Sequence, residues 1–130
     1  MKKILFSVII SALISTTFSA PKEIIIVRHA DKWKQENPGP FLSPKGQVRA
    51  EKLVIYYLSH FPKPDFIFAS NPQVTHGATH DFSYRPIQTV MPLANQLAHH
   101  NPDGYPINAK YPDSEYAKLA DVLLHNAQYQ

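Results

Sequence analysis

Apolar and polar positions fall in blocks along this chain, and the blocks predict alternating strands and helices. Residues 23–27 carry the run Ile24-Ile25-Ile26-Val27, which suits a strand buried on both faces and ending in Arg28-His29-Ala30. Residues 31–42 read as a polar loop broken by Asn37-Pro38-Gly39-Pro40. Ser43-Pro44 then supplies an N-cap and an N1 proline for a helix whose apolar face is Ala50, Leu53, Val54, Tyr57, Leu58 and Phe61. Pro62 and Pro64 end it. Residues 66–69 read as a second short strand, and residues 70–84 as a long polar loop. A second helix is expected over residues 86–99, with Ile87, Val90, Met91, Ala94, Leu97 and Ala98 inward and Pro92 kinking it or resetting its start. Residues 105–109 form a third strand. Asp113 or Ser114 caps a last helix with Tyr116, Leu119, Ala120 and Leu123 on its inner face. The order βαβαβα predicts an α/β layered fold with a mostly parallel sheet and helices on its faces.

The N-terminus stands apart from this pattern. Lys2 and Lys3 precede an apolar stretch over residues 4–14, followed by small residues up to Ala20. This is the layout of a secretory signal peptide, with cleavage after Ser19. It implies a periplasmic or secreted location, with residues 20–130 as one domain and no stable membrane span after cleavage. An uncleaved anchor is the alternative.

Charge and cysteine content follow from that division. The formal net charge of +3 includes Lys2 and Lys3, so residues 20–130 stand near +1. The basic pI therefore gives no argument for a nucleic-acid partner. With no cysteine in 130 residues, an exported domain must be held by its core alone.

Arg28-His29 is the leading candidate for chemistry. In open α/β sheets ligands bind at the C-terminal ends of strands. An arginine there offers a planar, permanently charged fork to phosphate oxygens, and a histidine can attack phosphorus or carry protons near neutral pH.

Three blocks together resemble the histidine phosphatase, or phosphoglycerate mutase-like, superfamily. They are Ile24 to Ala30 ending in Arg-His-Ala; Leu42-Ser43-Pro44-Lys45-Gly46-Gln47-Val48-Arg49-Ala50; and Phe68-Ala69-Ser70-Asn71-Pro72 followed by Arg85-Pro86-Ile87-Gln88-Thr89-Val90-Met91-Pro92. The resemblance implies a three-layer α/β/α fold and hydrolysis of a phosphorylated small molecule. It makes His29 the nucleophile that becomes phosphohistidine, and Arg28 and Arg85 the phosphate clamp. It requires no metal and no cofactor. Asp113 and Glu115 fall in the region where the family carries a carboxyl general acid, although an N-cap and a first-turn charge explain them equally well.

The chain also departs from the family. The family's second pocket histidine ends a later strand that lies between the first two strands of the sheet, and no such strand follows the helix containing His125. His125 therefore receives no role. The expectation is a domain lacking that strand, with weak or no phosphatase activity. The alternative is a non-catalytic phosphate-binding module or a fragment dependent on a partner strand. Elsewhere, His76 and His80 with Asp81 have zinc-like spacing but lie in a polar loop. His99-His100 reads as an exposed helix end. Residues 31–34, Asp-Lys-Trp-Lys, border the Arg-His pair and could face a substrate or simply solvent. Lys45 and Arg49 add positive potential or solvate a helix, and Glu51 solvates one.

Overall fold

The backbone of Asp31 anchors the first helix. The Asp31 carbonyl accepts from Ser43 N and from Ser43 Oγ, both at 3.0 Å, and Ser43 Oγ in turn accepts from Gly46 N at 3.1 Å. The computed structural model that shows this describes residues 20–36, 38–72 and 82–129. The proposed leader over residues 1–19, and His76, His80 and Asp81, lie outside the described residues.

Helix α1 spans Pro44–His60, with Ser43 as N-cap and Pro44 in its first turn. Its backbone ends as the sequence predicts: Phe61 is the C-cap and Pro62 follows. Gly46 is buried because the first turn lies directly on Asp31. A Cβ at position 46 would overlap the Asp31 carbonyl oxygen and stand 3.0 Å from its nitrogen. Farther along, Ala50 and Tyr57 face inward, whereas Leu58 remains largely exposed.

Strand β1, Ile67–Phe68, and strand β2, Ile107–Asn108, pair in parallel with Ile67 opposite Ile107 and Phe68 opposite Asn108. The pairing continues past the strands through Ala69 N to Asn108 O at 3.0 Å and Asn71 N to Tyr111 O at 2.8 Å. Helix α2, Arg85–Ala98, lies between them in sequence, which gives a β-α-β crossover. It runs through Pro92 and starts at Arg85, so the proline does not reset its start. Its buried residues are Thr89, Val90, Leu93, Ala94 and Leu97: Val90, Ala94 and Leu97 face inward as expected, Ile87 and Ala98 are half-buried, Met91 is exposed, and Thr89 and Leu93 join the inner face. Tyr57, Ile67, Val90, Leu93, Ala94 and Leu97 form the main core, with Ile25, Val54, Phe61 and Ile107 packed against it. A smaller cluster joins Ala30, Leu42 and Ala50.

The described residues thus form an α/β arrangement of three helices and a two-stranded parallel sheet. Two expectations are corrected. Residues 23–27 form no strand. Ile25 packs on the core, while Ile26 is 90% exposed and Ile24 and Val27 are about half exposed. A strand needs a hydrogen-bonded neighbour, and the local sequence supplies only one side of that requirement. The last helix also differs. Pro112 leads into a 3₁₀ turn over Asp113–Glu115, and helix α3 spans Tyr116–His125 with no side-chain cap and no buried residue. Tyr116, placed inward by periodicity, is exposed. No helix among the described residues is long and apolar enough to cross a membrane.

Candidate phosphate site

Two residues beyond Val27 stands His29, the candidate nucleophile. His29 Nδ1 lies 2.8 Å from the carbonyl oxygen of Ala30. A carbonyl only accepts, so Nδ1 carries the proton and donates it. In the neutral imidazole this leaves the lone pair on Nε2. A histidine held in that form is a nucleophile at Nε2.

Ala30 is buried and is itself fixed. Its N–H donates to Thr89 Oγ1 at 2.9 Å, and Thr89 Oγ1 donates to Arg85 O at 2.7 Å. One turn of α2 therefore couples the residue after His29 to the residue that begins the helix. Its neighbour Gln88 accepts from Leu42 N through Oε1 at 2.8 Å. The adjacent pair Gln88-Thr89 thus ties both the Arg-His segment and the segment entering α1 to α2. Sequence reasoning gave neither residue a role; two adjacent polar residues one turn after a helix start were the available signal.

Arg85 approaches from the N-terminus of α2. Its Nη1 donates to Gly39 O, and its Nε is buried without a partner. Tyr84 N donates to Pro40 O at 2.9 Å, and the Phe41 and Tyr84 rings stack at 5.6 Å, so the loop before α1 is docked on this helix start. Gly39 takes φ +65°, a left-handed conformation suited to glycine.

A cleft of about 910 Å³ brings these groups together. Arg28, His29 and Arg85 line it, along with residues 31–36 and the first turn of α1. The three residues expected to act on phosphate thus share one surface. Asp31, Lys32, Trp33 and Lys34 also border it, as do Lys45 and Arg49. Arg49 Nη1 makes a long, exposed ion pair with Asp31 at 3.5 Å.

A second cleft of about 290 Å³ adjoins the first, since His29 borders both. Val27, residues 68–70 and Asp113 line it. Glu115 lies on neither cleft and pairs with Lys118 at 3.2 Å. Of the two carboxyl candidates, only Asp113 shares a cleft with His29. His29 is the one histidine on either cleft among the described residues. His99 and His100 are exposed at the end of α2, and His125 is exposed and bonded to Asp121 within α3. Among the described residues no group of three or more His, Cys, Asp or Glu side chains could hold a metal.

No protein-family model, no curated protein and no solved structure matches the chain.

Proposed function

We propose that the larger cleft binds the phosphoryl group of a small phosphomonoester and that His29 Nε2 is its nucleophile. This reading takes the chain as a histidine phosphatase-like domain with a phosphoglycerate mutase-like α/β/α plan, exported to the periplasm or cell exterior. The hydrogen bond from His29 Nδ1 to Ala30 O carries the reading, because it presents the nitrogen that phosphoryl transfer needs. Arg28 and Arg85 supply fixed positive charge for the phosphate oxygens as it builds in the transition state. Nε2 forms a bond to phosphorus while the ester P–O bond breaks, and Asp113 is the candidate donor of the proton that the leaving oxygen takes up. Water then attacks phosphorus and gives its proton back to Asp113, and cleavage of the N–P bond releases inorganic phosphate and restores neutral imidazole. With no second histidine on the cleft among the described residues, turnover is expected to be slow.

The test is phosphate release from p-nitrophenyl phosphate, with acid-labile phosphohistidine trapped by rapid quench. Slow release and a trapped phosphoenzyme, both lost in His29→Asn, support the reading. Release that persists in His29→Asn refutes it. Binding without turnover is the second reading, and the buried, unpartnered Arg85 Nε favours it as a waiting donor. Vanadate or phosphate would then raise Tm without any phosphoenzyme.

A further inference from the structure

The charge around the cleft exceeds what one phosphoryl group requires. Six cations line it: Arg28, Lys32, Lys34, Lys45, Arg49 and Arg85. Only two carboxylates, Asp31 and Glu36, stand against them, a net of +4. The whole chain carries +3, so everything outside this cleft is net negative by one. A phosphomonoester brings about −1.5 to −2 at neutral pH, which Arg28 and Arg85 already match. The remaining lysines form no ion pair among the described residues, and Arg49 has only its long contact with Asp31.

Part of this surplus has a fixed geometry. Lys45 and Arg49 are four residues apart on α1, so they stand on one face with Cβ atoms roughly 6 Å apart. The helix beneath them is locked to the Arg-His segment through Ser43, Gly46 and the Asp31 backbone. Two cations on a rigid support, beside but distinct from the Arg28–Arg85 clamp, are placed to receive a second anion. Concentrated charge in a concave site strengthens such recognition.

Resting on the phosphate-pocket reading above, we infer that the substrate is a phosphomonoester bearing a second anionic group, which Lys45 and Arg49 hold on α1. The group is a second phosphate or a carboxylate, and Lys32 and Lys34 widen the positive field around it.

Calorimetry with three non-hydrolysable probes tests this: propylphosphonate, 3-phosphonopropionate and propane-1,3-bisphosphonate. The purified protein is expected to bind at least one of the two dianionic-group probes about tenfold more tightly than propylphosphonate, the advantage of one added charge-assisted contact. Which probe gains identifies phosphate or carboxylate. Lys45→Gln/Arg49→Gln, both exposed positions on α1, should bring that ratio close to one, with its melting curve recorded to show that it folds. The ratio should also shrink as salt is raised, because the extra contact is exposed. Propylphosphonate binding with a ratio near one in the unaltered protein overturns this inference and leaves the phosphate pocket standing. So does a ratio that survives in the folded double variant. Binding of no probe overturns both.

Discussion

Thr89 Oγ1 accepts from the backbone N–H of Ala30 at 2.9 Å and donates its own O–H to the carbonyl of Arg85 at 2.7 Å. A single hydroxyl therefore joins the residue beside the candidate nucleophile to Arg85, the proposed phosphate clamp. Both Thr89 and Ala30 are buried, so water cannot replace the hydroxyl without rearrangement. Thr89→Val keeps the shape and removes the acceptor. Leaving the Ala30 N–H unpaired should cost about 1–3 kcal/mol. In urea denaturation the midpoint should fall accordingly, and vanadate should stabilise the variant less than the parent. Thr89→Ser retains an oxygen and should recover most of both. Equal loss in the serine and valine variants would point to methyl packing in place of the hydrogen bond.

Gly46 makes a different kind of demand. Its α-carbon lies so close to Asp31 that a methyl group would enter backbone atoms, which cannot rotate aside as a side chain can. Gly46→Ala should therefore push α1 away from Asp31, disturb the Ser43 bonds and cost about 1–3 kcal/mol by overpacking. Gly39→Ala offers a contrast. Nothing lies within 4 Å of its added Cβ, but its φ of +65° is unfavourable for alanine, a cost of roughly 1 kcal/mol. Thermal melts of the two variants separate steric overlap from backbone strain, and Gly46→Ala should show the larger drop.

These contacts explain which parts of the molecule its sequence announced. The α1 start was legible because Ser43, Pro44 and Gly46 act within one turn, where local rules apply. β1 and β2 were legible as short apolar runs, and each found the other as a parallel partner. Ile24 to Val27 carries the strongest strand signal in the chain yet has no ladder, because pairing depends on what lies beside a segment and not on its composition. On α2, periodicity favoured Ile87 and Met91 over Thr89. Burial of Thr89 follows from bonds to Ala30 and Arg85, the first a partner 59 residues away that no local pattern reveals. The motif singled out Arg28, His29 and Arg85, and all three line the larger cleft. The surplus of lysine and arginine around them became visible only when α1 and residues 31–36 met at one surface.

Alkaline pH should weaken the core through its tyrosines. Burial raises Tyr57 above its ordinary value of 10.0, with Glu23 adding to the effect. Burial likewise raises Tyr105, assisted by Asp65 and by Tyr57 itself. The folded state thus holds both phenols protonated at pH values where the unfolded chain ionises them. Their contribution to stability is fully present below about pH 10 and is lost as pH rises through the raised values. Melting temperatures measured from pH 8 to 11.5 should fall above pH 10. Tyr57→Phe, which keeps the ring against Phe61 and has nothing to ionise, should flatten that fall.

The unpaired segment at residues 24–27 predicts self-association. Ile25 holds it to the core, while Ile26 projects into solvent at 90% exposure and its neighbours are about half exposed. An exposed, uncharged, β-branched run with no strand partner is a candidate for pairing with another chain. Ile26→Lys puts a charge at the centre of that run without touching the core. Its effect on folding stability should stay within about 0.5 kcal/mol, as at other open surface positions. Light scattering during prolonged incubation should show slower aggregation than the parent, and sedimentation should show a larger monomer fraction. Ile25→Lys provides the opposing control, since it places the same charge against the main core and should destabilise the fold itself. If Ile26→Lys aggregates as fast as the parent, the exposed run is not the sticking surface, and the half-buried apolar face of α3 around Leu119 and Leu123 becomes the next position to charge.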